Sequence, residues 1–207
     1  EITSNRPDCF SIIGLARETA ATFDREFHIP DPSKYPTTSD NANDYAKVVI
    51  EDYELCPRYL GKVVKNVKIG PSPEWMQRRL NACGIRAINN IVDITNYVML
   101  EYGQPMHAYD LDNVKGHTIT VRRGRAGETL ETLDDQPHEL NHELIVISDA
   151  ERAIGVAGVM GGANSEVTEN TVNILFEAAT FKASTVRRGA KALGMRTDAS
   201  ARFEKGI

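Results

Sequence analysis

From His117 to Phe176 the chain carries a succession of short runs rich in β-branched residues, with no stretch of helical period between them. These runs, His117–Arg122, Thr129–Leu133, Leu144–Ser148, Ile154–Met160 and Val172–Phe176, are set apart by Gly, Asp and Pro and read as strands. A sheet whose strands alternate with helices would need helical segments between them, so a doubly wound architecture is excluded and the pattern indicates an α+β fold.

The flanking segments carry the helices. Apolar residues at Ile12, Leu15, Ala16, Thr19 and Phe23 predict a helix over about 8–26, with an irregularity at Gly14. Pro30, Pro32 and Pro36 interrupt the next stretch, and 29–45 is expected to be an exposed connection between lobes. Ala46–Ile50 and Arg58–Ile69 read as strands. Ser72-Pro73 starts a helix through Leu80 that Gly84 ends. Asn89 or Asn90 caps a further helix with an inward stripe at Ile91, Ile94, Thr95 and Val98, extending to Met99, with Asp93 and Asn96 turned elsewhere, and Gly103 and Pro105 as its stop. Phe181–Leu193 is helical up to Gly194, and Thr197 or Asp198 caps a last helix through Lys205.

Composition restricts the function classes. Hydrophobic residues make up 41% and charged ones 26%, and no stretch approaches the roughly 18 apolar residues of a membrane span. Cys9, Cys56 and Cys83 are widely spaced and form no CxxC pair, which fits free thiols and a cytoplasmic location. A net charge of −5 argues against a surface that coats nucleic acid throughout, yet Lys182–Lys205 is basic, with only Asp198 and Glu204 opposing its lysines and arginines. Phosphate contact, if made, belongs there; the alternative is a solvated helix face. The chain begins at Glu1 rather than Met and is expected to be a piece of a longer polypeptide, too short for a ligase by itself.

Several residues stand out chemically. His107 follows Gln104-Pro105-Met106, where a stiffened loop can aim an imidazole able to donate or accept a proton near neutrality; a structural hydrogen-bonding role is the alternative. Glu177 follows an apolar run, which places a carboxylate at the rim of a core, where it needs a partner. An ion pair with Arg187 or Arg188 would supply one; a bound hydroxyl would supply another. Gly161-Gly162 is a turn that lets backbone approach a ligand closely. His138-Glu139-Leu140-Asn141-His142 matches the HExxH zinc-peptidase pattern, but Pro137 and the strand-like run from Leu144 leave about one turn for the helix that pattern needs. Neither a P-loop nor GxGxxG is present, so nucleotide binding is not indicated in this segment.

Longer motifs add a resemblance. GIRAINNIVDITNYVMLEYGQPMHAYD from Gly84 to Asp110, RTDASARFEKG from Arg196 to Gly206, SNRPDCFSIIGLARE near the start and the GVMGG of Gly158–Gly162 resemble the third and fourth (B3/B4) domains of bacterial phenylalanyl-tRNA synthetase beta subunits, over nearly the whole chain. The resemblance implies two intertwined lobes around a β-sandwich-like centre with flanking helices. It also implies an editing module, hydrolysing tyrosine wrongly attached to tRNA(Phe). On this reading His107, Thr95 and Asn96 serve the attacking water and terminal adenosine, Glu177 binds the tyrosine hydroxyl, and Gly161, Ala199, Thr197 and Arg86 complete the pocket. No metal is implied in this segment. Ester hydrolysis of this kind needs a held carbonyl, an oriented water and donors for the oxyanion. A site built around a substrate hydroxyl can reject the analogue lacking it by about 10⁴–10⁵.

The same resemblance places ATP and Mg²⁺ with the ligation reaction of the parent enzyme, and makes the tRNA 3′ end and a synthetase alpha subunit its partners. Ala87 stands where a proline is usual in the family, which would loosen the aim of Arg86; Tyr102 and Tyr109 stand where Leu and Phe are usual, and Lys205 replaces Arg. Two other readings remain: a non-catalytic tRNA-binding scaffold of the same synthetase, and a zinc peptidase through His138 and His142.

Overall fold

A computed structural model describes residues 2–35 and 38–207. Three sheets form the centre. A five-stranded sheet runs in the order β1 (Lys47–Ile50), β4 (Thr118–Arg123), β7 (Ile145–Ser148), β8 (Ala153–Val156) and β9 (Met160–Gly161). A three-stranded sheet has β10 (Ile174–Thr180) between β2 (Arg58–Val64) and β3 (Met106–Asp110), and β5 (Glu128–Glu131) pairs with β6 (Pro137–Leu140). The β1/β4 pair is parallel and the other strand pairs are antiparallel. The fold is α+β, with the chain passing from the larger sheet to the smaller, back, and finally returning as β10.

Alternation along β10 explains the layering. Leu175 and Ala179 join Tyr59 and Tyr109 in one apolar cluster with Ile119, Val146 and Ile154 of the larger sheet. Ile174 and Phe176 point to the other face, where they meet Ile91 of α3 (Asn90–Tyr102) together with Ala108 and Val167. Successive side chains of a strand face opposite ways, so β10 is buried on both sides. Glu177 belongs to the inner face, on the centre strand.

Helix ends reflect local chemistry. The Asn89 side chain accepts from the backbone N–H groups of Ile91 and Val92, and Gly103 closes α3 at φ 86°. The long first helix expected over 8–26 is shorter, α1 (Ile12–Thr22), because Ser11 caps it after a 3-10 turn at Pro7–Cys9. Gly14 lies against the carbonyl of Asp8, where a Cβ would collide. Ser72 does not cap α2 (Glu74–Ala82); Pro73 takes the cap position, and the Ser72 hydroxyl donates to Asp93 instead. The strand expected to reach Ile69 stops at Val64, with Asn66 at φ 57° just beyond it. At the C-terminal end come α4 (Ala183–Ala192) and α5 (Asp198–Phe203). The segment 29–45 includes Pro36 and Thr37, outside the described residues; its described part carries 3-10 turns at Pro32–Lys34 and Ala42–Asp44 and is largely exposed.

Candidate functional site

The expectation that His107 sits on a loop is incorrect. It is the second residue of β3, and in the antiparallel register it is the direct partner of Glu177. Opposed residues of an antiparallel pair share a face, so imidazole and carboxylate both point into the space between the sheets. Glu177 is not at a core rim either; it is buried, 7% exposed, midway along the central strand.

The partners of Glu177 are not arginines. Tyr59 and Tyr109, diagonal neighbours on the two flanking strands, each donate a hydroxyl hydrogen bond to its Oε2 at 2.6 Å. That length is typical of O–H donation to a carboxylate. Burial raises the Glu177 carboxyl above the usual carboxylate range, and the two phenol donors act against that rise. Burial, followed by the nearby Glu177 charge, lifts both phenols well above their ordinary value, so they remain protonated donors. Among the described residues no hydrogen bond reaches Oε1 of Glu177.

His107 is also confined. Its ring meets Tyr109 edge-on at 4.5 Å between centroids, and Nε2 is buried without a hydrogen-bond partner among the described residues. Burial lowers its pKa to about 4, so the imidazole is neutral at physiological pH. Gly161 packs directly on this ring: a Cβ there would lie 2.7 Å from Nε2 and closer still to Cε1. The sequence singles out Gly161 as pocket floor; its tightest constraint is room for the imidazole.

A small open cavity of about 70 Å³ is lined by His107, Tyr109, Glu177, Gly161, Ala199 and the Gly155–Met160 turn. A second depression on the other side of His107 is lined by Asn89, Val92, Thr95, Leu133 and Glu166. His107 lines both. The structure thus brings together His107, Glu177, Gly161 and Ala199, and sets Thr95 beside them with its hydroxyl on the Val92 carbonyl.

The other predicted site residues stand apart. Thr197 caps α5 with a reciprocal Ser200 contact and donates to the Val159 carbonyl at 3.0 Å, which fixes the cavity-lining turn from behind. Asn96 is half-buried on α3 and lines neither depression; Arg86 is exposed in the loop before α3 and also lines neither. That loop is tied down despite Ala87, because buried Asp93 accepts from the Ile88 N–H at 2.8 Å and from Ser72. Helical spacing alone turns Asp93 away from the interior and Ile94 towards it; the reverse holds, with Ile94 37% exposed. Tyr59 and Tyr109 are site residues that sequence reasoning misses. Period-two spacing of Tyr109 from His107 flags one of them once β3 is read as a strand.

Two other expectations change. The HExxH segment is not helical: His138 lies on β6 and His142 in the turn after it, and among the described residues no group of three potential metal ligands occurs. The zinc-peptidase reading therefore lacks its helix. The basic C-terminal end is partly neutralised internally, since Arg202 is buried and paired with Asp198, and Arg196 and Lys205 both reach Glu204. Among the described residues Lys182, Arg187, Arg188 and Lys191 form no ion pair of this kind.

The chain is similar to known proteins in sequence and in fold. A family model described as B3/4 domain matches residues 55–207. The chain is 52% identical over 206 residues to the phenylalanine–tRNA ligase beta subunit of Bacillus cereus, covering 100% of this chain and 25% of that protein. It is 50% identical to the beta subunit of Carboxydothermus hydrogenoformans, with coverages of 100% and 26%. The chain thus spans about a quarter of the length of these relatives. In three dimensions it matches an N-terminal fragment of the phenylalanyl-tRNA synthetase beta subunit from Pyrococcus horikoshii with a TM-score of 0.51, at 16% identity, over 92% of this chain and 58% of that one; this last likeness concerns the fold.

Proposed function

The chain belongs to the B3/4 domain family, and on that premise we propose that it is an editing module that removes tyrosine from mischarged tRNA by hydrolysing the aminoacyl ester with a positioned water. The observation that carries this reading is the pairing of Glu177, buried with one carboxylate oxygen unengaged, and His107 along one wall of an open cavity. A tyrosine ring entering beside Ala199 and Gly161 would donate its hydroxyl to Glu177. A phenylalanine ring would leave Oε1 desolvated and unpaired, which is the penalty that selects against it.

His107 contributes orientation more than basicity. An imidazole with a pKa near 4 is a weak base, and general-base efficiency is best when the pKa lies near the working pH. Its unpartnered nitrogen can still accept a hydrogen bond from water or donate one to the ester, according to tautomer. The attacking water adds to the ester carbonyl carbon, the ribose oxygen leaves with a proton, and tyrosine departs as the free acid. Thr95 is assigned to the adjoining depression, where the terminal nucleoside would lie, with Asn96 and Arg86 proposed for the approach of the tRNA end. Thr197 acts by holding the Val159 turn.

The parent protein is proposed to be a phenylalanine–tRNA ligase acting on tRNA(Phe) with an alpha subunit in the cytoplasm. ATP and Mg²⁺ are assigned to its ligation reaction. Among the described residues no helix is long and apolar enough to cross a membrane.

The test is deacylation of Tyr-tRNA(Phe) by the full-length protein carrying this chain, compared with a variant bearing His107→Ala and Glu177→Gln. A loss of about 100-fold or more is expected. Equal rates would reject the editing reading in favour of a tRNA-binding scaffold.

A further inference from the structure

Glu177 does not distribute its partners evenly. An ionised carboxylate offers about four acceptor positions over two oxygens, and a group that needed only to be satisfied in a core would place one donor on each. Here both buried hydroxyls converge on Oε2. The strand register explains how. Tyr59 pairs with Ala179 on β2 and Tyr109 with Leu175 on β3, so the two rings reach the carboxylate diagonally, one from each flank and each from a different end of the strand. The residue directly beside Glu177 on β2 is Gly61, which has no side chain to compete for the other oxygen.

We propose that Tyr59 and Tyr109 are positioning residues that turn Glu177 into a single-acceptor reader of an aryl hydroxyl, by saturating Oε2 from both sides and leaving Oε1 as the oxygen open to the cavity guest. The inference rests on the reading of this cavity as the amino-acid pocket, and it adds a determinant of specificity. Clamping one oxygen fixes the carboxylate plane, so Oε1 keeps one direction into the cavity. The two donors also favour the charged form that burial disfavours. A neutral carboxyl could donate as well as accept, and a guest without a hydroxyl would then meet a smaller penalty.

Tyr59 stands behind the cavity wall and Tyr109 in it, so the test must separate positioning from contact and packing. In the full-length protein, Tyr59→Phe and Tyr109→Phe keep both rings and remove one hydroxyl each. Binding of L-tyrosine and L-phenylalanine would be measured by calorimetry across a pH series, with Glu177→Gln alongside. The expected result is a drop of about tenfold in the tyrosine preference for either variant, the scale of one hydrogen bond to a charged group, partly recovered as pH is raised and Glu177 ionises again. Either variant suffices if the other does not fold. A wild-type preference that Glu177→Gln abolishes but the tyrosine variants retain at every pH overturns this inference and leaves the editing reading intact. A drop in preference that is the same at every pH also overturns it, since loss of packing would produce that result. A wild-type protein without tyrosine preference overturns both.

Discussion

Glu177 and His107 are register partners across β10 and β3, yet among the described residues no side-chain hydrogen bond joins them. The carboxylate is held from its flanks by tyrosines and the imidazole is held by packing on Gly161 and Tyr109. Each therefore keeps polar capacity unspent on the other, and a guest between them can use both.

Removing the carboxylate should cost stability as well as specificity. Glu177→Ala leaves two buried phenol hydroxyls without their acceptor. At about 1–3 kcal/mol for each unsatisfied buried group, the expected loss is about 2–6 kcal/mol in urea unfolding. Glu177→Gln retains an acceptor oxygen and should lose clearly less; equal losses would mean that the phenols are not held by this side chain.

Gly161→Ala should act through His107. The added methyl would overlap the imidazole, and overpacking of this kind costs about 1–3 kcal/mol. Deacylation should fall about as far as in His107→Ala, and combining the two should cost little more than His107→Ala alone. Additive effects would show that Gly161 touches the guest independently of the ring.

The pH dependence has a definite sign. The His107 pKa is lowered from 6.5 to about 4 by burial, so between these values the unfolded chain binds the proton that the folded chain refuses. Stability contributed by the neutral, buried ring is complete above 6.5 and declines as pH falls towards 4. Thermal melts of wild type and His107→Asn should therefore converge over that window on acidification. If the acid limb of deacylation belongs to this group it should fall near 4; a limb near 6.5 would assign it elsewhere.

Arg122 should be a strong point of the larger sheet. It is 4% exposed, paired with both oxygens of Glu128 at 2.5 and 3.0 Å, and donates to Ser148 on β7. Arg122→Ala strands a partly buried carboxylate, and breaking such a pair costs about 3–5 kcal/mol. A loss below about 1 kcal/mol in chemical denaturation would place the pair among solvent-screened surface bridges.

Much of the architecture is readable because its causes are local. Asn89 before an apolar stripe, Gly103 after it, Thr197 ahead of the last helix and the β-branched runs of the centre each act within a few residues, and the elements form where they direct. Short strands escape where their sequence lacks that mark. Met106–Asp110 contains His, Ala and Asp and begins just after a proline, and Pro137–Leu140 opens on one; both are strands because neighbours offer them backbone partners.

By itself the sequence determined the α+β class, most helix boundaries, and, through its long motifs, which residues deserved attention around His107 and Glu177. Tertiary structure alone decided what those residues touch. Tyr59, Tyr109 and Glu177 come from strands separated by more than a helix or a whole sheet, and only the pairing of β2, β10 and β3 brings two hydroxyls onto one oxygen. Such register is set by which faces the core must bury, a property of all the strands together and of no single stretch of chain.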